Sequence, residues 1–140
     1  MNIRIARQED APKISSLLFQ LGHPMTAGKL VDKIQSLISH PDHLLVVYDD
    51  NDVAAVMSVH FIPQLAKEGE LAVVSYLVVD ESARNNGVGK ALEEYCLAVS
   101  TARNCDRIEI HCNIRRTDAH RFYERQGYLE ERKHFRKKIR

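Results

Sequence analysis

Residues 71–80, LAVVSYLVVD, run directly into residues 81–95, ESARNNGVGKALEEY. The first half is apolar at odd and even positions alike and rich in β-branched side chains, as a strand covered on both faces would be. Beyond Asp80 the period changes. Val88, Ala91, Leu92, Tyr95, Ala98, Val99 and Ala102 recur at helical spacing and predict a helix of roughly four turns beginning near Gly87.

Between strand and helix stands Arg84-Asn85-Asn86-Gly87-Val88-Gly89. Its glycines remove Cβ atoms from the turn where the first helical amides lack an acceptor within the helix. Those amides and the positive end of the helix dipole favour an anion, and Arg84 and Lys90 add full charges. A pyrophosphate-bearing cofactor suits such a turn; a strand-to-helix turn whose glycines only permit close packing suits it equally. Two commoner phosphate motifs fit less well. A dinucleotide fingerprint needs a third glycine where Leu92 stands, and a P-loop needs Ser or Thr where Ala91 stands.

Outward from this junction, 140 residues at 44% apolar and 28% charged suit one domain, spanning 1–140, with a real core. A formal net charge of +1 gives no global field toward nucleic acid or membrane. No apolar run reaches the length of a membrane span. Cys96, Cys105 and Cys112 lack metal-ligand spacing, and MNIRIARQED does not read as a signal segment, so a reducing cytoplasm is expected. The histidines show no metal-binding spacing, and no metal is expected.

In chain order, Ile3 and Ile5 predict a short strand, and Asp10 a cap for a helix carrying Ile14, Leu17, Leu18 and Leu21, with Pro12 in its first turn. Thr26 opens a second helix through Leu30, Ile34, Leu37 and Ile38. Residues 43–48 and 53–62 read as a hairpin across Asp49-Asp50-Asn51-Asp52. After the long helix, residues 107–112 should lie parallel to the central strand by a right-handed crossover. Thr117 then caps a short helix that Gly127 stops, and a last strand is expected around Phe135 and Ile139.

The order β-α-α-β-β-β-α-β-α-β, Arg84-x-x-Gly87-x-Gly89 and Ala119-x-x-Phe122-Tyr123-Glu124-x-x-Gly127-Tyr128 together resemble the GNAT family of N-acetyltransferases across essentially the whole chain. The resemblance implies an α/β fold: a mixed, mostly antiparallel sheet with one splayed parallel pair and helices on both faces. It implies acetyl-CoA as donor, with the phosphates at Arg84, Asn85, Asn86, Gly87, Val88, Gly89 and Lys90. The cofactor's amide arm would lie along Leu77, Val78 and Val79, with Asn113, Ala119, Phe122 and Arg125 as further contacts. Tyr123 matches the family tyrosine beside the cofactor sulfur, where a phenol of pKa about 10 suits a general acid for the departing thiolate.

Many relatives carry Glu or Asp on the central strand to deprotonate the amine, whereas this chain has Ser75 and Tyr76. His60, Glu109 and His111 are substitutes by residue type. Arg115, Arg116, Arg121 and Arg125 crowd the last helix and its entrance, as phosphate contacts or as a solvated face. Residues 112–128 are also similar to aminoalkylphosphonate N-acetyltransferases, which implies a small anionic amine as acceptor. The partner expected is a small-molecule amine, with neither nucleic acid nor membrane, and with room for a homodimer. The rival reading is a non-catalytic acyl-CoA-binding or regulatory module, which would keep the glycine turn but have no use for Tyr123.

Overall fold

The computed structural model describes residues 2–111, 117–131 and 134–140, with the side chain of Thr117 left aside. Its elements run β1 (Ile3–Ile5), α1 (Ala11–Leu21), α2 (Ala27–Ser39), β2 (His43–Asp49), β3 (Val53–Ile62), β4 (Leu71–Val79), α3 (Val88–Ala102), β5 (Arg107–Ile110) and α4 (Thr117–Arg125). The strands form one five-stranded sheet in sequence order, antiparallel from β1 to β4 and parallel between β4 and β5. Among the described residues no helix is long and apolar enough to cross a membrane.

Strand alternation sends side chains to two cores. Leu45, Val47, Val56 and Val78 meet Ile14, Leu17, Leu30 and Ile34 beneath α1 and α2. Val46, Met57, Val59, Ala72 and Val74 meet Val88, Leu92 and Cys96 beneath α3. Helices therefore cover both faces, and β4 is apolar on both, apart from Ser75 and Tyr76, because it serves both cores. On α3 the buried line is Val88, Leu92, Cys96 and Ser100, with Glu93 beside it. The helical stripe expected from sequence includes Val88 and Leu92 and misses Cys96 and the polar Glu93 and Ser100.

Two local features differ from expectation. Asp10 precedes α1 but does not cap it: its carboxylate accepts from the Arg7 amide at 2.8 Å and from Arg4 Nη1 and Nη2 at 2.8 and 2.9 Å. The guanidinium, which also meets Asp49 at 3.0 Å, outcompetes the helix amides for the same oxygens. No strand forms around Phe135 and Ile139, whose side chains are exposed. Lys137 falls between them on the same alternation, so a strand here would carry a charge on its apolar face. The cap expected at Thr117 and the strand end at Cys112 lie outside what the structure describes.

Two irregularities shape the sheet. Between β2 and β3 the register shifts at Tyr48/Asp49, which sets His43 directly opposite His60. Between β3 and β4, Ser58 pairs with Tyr76 and Val59 with Val74, so Ser75 is the extra residue of a β-bulge. The parallel β4–β5 ladder stops at the same level: its last partners are Val74 and Ile110. Residues 76–79 of β4 continue with a partner on the β3 side alone among the described residues.

Candidate active site

The loop after β4 is stiffened at its start. Asp80 accepts from the Ser82 amide at 2.9 Å and its hydroxyl at 2.8 Å, and Gln20 of α1 bonds both Asp80 (3.3 Å) and the Glu81 amide (3.1 Å). The Ser82 amide, the Ser82 hydroxyl and Gln20 together hold the Asp80 carboxyl below its ordinary range. Arg84 then turns back so that Nε donates to the Val79 carbonyl at 3.4 Å. Asn85 and Gly87 take left-handed backbone at φ 66° and 79°, and α3 begins.

Ala91 N–H donates to Gly87 O, so the amides of Val88, Gly89 and Lys90 precede the helical ladder. Arg84, Asn85, Asn86, Gly87 and Lys90 are exposed around them, and among the described residues the ion pair of Lys90 is a long surface one with Glu94 at 3.9 Å. The two glycines do different work. A Cβ at Gly87 would meet nothing within 4 Å, so its role is the positive φ. A Cβ at Gly89 would lie 3.3 Å from Phe122 Cζ and 3.7 Å from Val79 Cγ2, so its role is close approach of α4 to α3.

That contact sets Tyr123. Phe122 lies over Gly89, Tyr123 follows with its ring 5.2 Å from Phe122 and 6.0 Å from Tyr128, and Tyr128 Oη donates to buried Glu93 Oε1 at 3.2 Å. Burial, then the Glu93 charge, pushes the Tyr128 phenol well above its ordinary range, so it stays a donor. Gly127 at φ 93° ends the turn and lets the Tyr128 amide reach Tyr123 O at 3.1 Å.

Among the described residues, 76–79 of β4 have a strand partner on the β3 side alone. Asp80 N–H donates to Ala54 O on β3, so by antiparallel alternation Val78 also faces β3, while Leu77 and Val79 turn their N–H and C=O away from it. Val78 sends its side chain into the α1/α2 core, and Leu77 and Val79 pack toward α3. Of the three residues expected along the cofactor arm, two therefore offer backbone groups and Val78 offers none. Ala119 is half-buried and Arg125 exposed on α4, whereas Asn113, Arg115 and Arg116 lie outside the described residues.

The base candidates are dispersed. Glu109 accepts from Arg107 Nε at 2.8 Å. His111 is exposed, its ring 4.7 Å from that of His134. His60 Nδ1 lies 3.0 Å from His43 Nδ1, His43 Nε2 lies 3.1 Å from Ser58 Oγ, and Ser75 Oγ donates to Ser58 at 3.3 Å. The sequence reading missed His43 and Ser58. Counting back from the Asp49–Val53 pair without the register shift would set Val59, not His60, against His43.

A mixed sheet whose parallel ladder ends, among the described residues, at Val74 and Ile110 beside a glycine-capped helix end is the fold of an acyl-CoA-dependent N-acyltransferase. Comparison with known proteins agrees. The model of the acetyltransferase (GNAT) family matches residues 9–128, and the chain belongs to that family, whose members take acetyl-CoA as donor. An aminoalkylphosphonate N-acetyltransferase of Salmonella typhimurium is 26% identical over 136 residues, 96% of this chain and 87% of that protein. A mycothiol acetyltransferase of Beutenbergia cavernae is 34% identical over 88 residues, 63% of this chain, and the match spans 29% of that longer protein. A Bacillus halodurans C-125 structure described as a transcriptional regulator superposes with a TM-score of 0.89 at 20% identity, covering 98% of each chain. That likeness speaks for the fold alone.

Proposed function

We propose that this chain transfers the acetyl group of acetyl-CoA to a primary amine of a small molecule by direct attack within a ternary complex. The observation that carries the reading is the coincidence of two elements: the amides of Val88, Gly89 and Lys90 that precede the α3 ladder, and the backbone of Leu77 and Val79 on the side of β4 turned away from β3. The first suits a pyrophosphate, with Arg84 and Lys90 beside it, and the second suits the amides of a pantetheine arm. Acetyl-CoA supplies the activated thioester. The chain aligns its arm, covers it with α4 through Phe122, and leaves a backbone N–H near the gap to polarise the thioester carbonyl.

Tyr123 is the general acid for the departing thiolate. Its position in the Phe122–Tyr128 aromatic group supports this role, since that group is anchored to the same Gly89 that opens α3. The acceptor approaches from the α1/α2 face, where half-exposed Tyr76 stands edge-on to His23 of the α1–α2 loop at 6.1 Å. The likeness to the Salmonella enzyme along nearly the whole chain favours a short aminoalkylphosphonate over a peptide. The regulatory-module reading has less support, because it leaves the packing around Tyr123 unused.

Tyr123→Phe tests the assignment. The ring still packs, so acetyl-CoA affinity stays near wild type, while kcat falls by ~10²–10⁴-fold, the usual worth of general acid catalysis. CoA release measured across primary amines that include aminoalkylphosphonates reads both quantities. Full turnover by the variant removes Tyr123 from the mechanism, and no turnover by the wild type on any amine favours the binding module.

A further inference from the structure

The acetyl-transfer reading leaves one chemical need unmet. As the amine nitrogen bonds to the acetyl carbon it becomes cationic and strongly acidic, and its proton needs an acceptor. No carboxylate stands on β4 beside the gap: its positions there are Ser75 and Tyr76. The bulge, however, places Ser75 just past the last β4–β5 partners, Val74 and Ile110, and turns its hydroxyl onto Ser58, 3.3 Å from both the carbonyl oxygen and Oγ.

From Ser75 a line of polar contacts runs down the α1/α2 face of the sheet, across β4, β3 and β2. Ser75 Oγ reaches Ser58 Oγ at 3.3 Å, Ser58 Oγ reaches His43 Nε2 at 3.1 Å, and His43 Nδ1 reaches His60 Nδ1 at 3.0 Å. A nitrogen–nitrogen contact of that length holds a single proton between the rings. If His43 carries it on Nδ1, its Nε2 is the acceptor for Ser58, and every bond in the row points away from the gap. We propose that Ser75, Ser58, His43 and His60 form a proton relay that accepts the proton of the attacking amine, in place of the missing carboxylate.

The step balances. The N–C bond forms and the C–S bond breaks, with its electron pair leaving on the CoA sulfur. The amine proton passes to Ser75 Oγ, the Ser75 proton to Ser58, the Ser58 proton to His43 Nε2, and the His43 Nδ1 proton to His60 Nδ1. Within the relay Ser75 is the catalytic residue, beside Tyr123 as the general acid; Ser58, His43 and His60 act through Ser75 as positioning residues. The proposal rests on the acetyl-transfer reading for the place of the amine.

The surroundings keep the pair ready to accept. Burial foremost, then the charges of His60 and His40, lowers the His43 imidazole to about 4, and burial with His40 lowers His60. Facing them from the rest of the sheet are Glu109, in register through Val73 and bonded to Arg107, and the neutral hydroxyls of Ser58 and Ser75. The pair is therefore neutral at pH 7 and has room for one proton.

Two measurements test this. Nitrogen-15 imidazole spectra of the full chain at pH 7 should show His43 as the Nδ1–H tautomer; an Nε2–H tautomer points the row toward the gap and overturns the relay. In CoA-release assays on the best amine of an aminoalkylphosphonate-containing panel, Ser75→Ala and His43→Gln should each lower kcat by ~10²-fold or more. KM for acetyl-CoA should hold, and the acid limb of the wild-type kcat profile should disappear. His60→Gln, on the more accessible ring, should repeat the loss if His43→Gln folds poorly. Wild-type turnover with unchanged variants sinks the relay alone, whereas no wild-type turnover on any amine sinks the acetyl-transfer reading along with it.

Discussion

At the scale of single residues, the glycines of the α3 turn show how one motif hides two physical demands. Gly87→Val forces a β-branched residue to φ 79° in open space, a backbone cost of ~1–3 kcal/mol that falls on the turn itself. Gly89→Val instead drives a side chain into Phe122 and Val79, so α4 must shift and Tyr123 with it. We expect Gly87→Val to weaken acetyl-CoA binding with modest loss of kcat at saturation, and Gly89→Val to lower both. Calorimetric affinity beside saturated turnover separates them, and identical profiles would mean that the glycines serve one purpose. The motif makes both positions legible in sequence, but it does not distinguish them. The reason is tertiary: the neighbour that needs Gly89 small is Phe122, far along the chain.

Elements were legible where local pattern and burial agree. The bounds expected for β3, β4 and α3 coincide with those observed, since period and β-branched content decide them. What escaped were features set by register: the Ser75 bulge, the His43–His60 opposition and the absent strand around Phe135, none of which leaves a periodic trace. The histidine pair carries a consequence for acid stability. Both imidazoles are held below their ordinary range in the folded chain, so between pH ~6.5 and ~4 the unfolded chain binds protons that the folded one refuses. The stabilisation is complete above the unfolded pKa and is lost as pH falls through that window. Melting temperature should therefore drop from pH 6.5 to 4.5, and His43→Gln should flatten the slope. Parallel slopes for variant and wild type would show that the pair is not the source.

On the scale of the whole molecule, the loop that joins the end of β4 to the turn at the start of α3 is tied to α1 through Gln20, which bonds Asp80 and the Glu81 amide. A ligand engaging both the strand end and the turn should stabilise the folded state by mass action, ~2.7 kcal/mol at a hundredfold excess over Kd, seen as a rise in melting temperature with acetyl-CoA. No shift at saturation would break the link from fold to function. The end of the described parallel ladder at Val74 and Ile110 also has a signature in solvent exchange. Alternate amides along the end of β4 belong to different worlds: Val78 is locked to β3, while Leu77 and Val79 look outward. Deuterium uptake at single-residue resolution should thus alternate fast, slow, fast in the free protein, and acetyl-CoA should erase the alternation by serving as the sheet's missing neighbour.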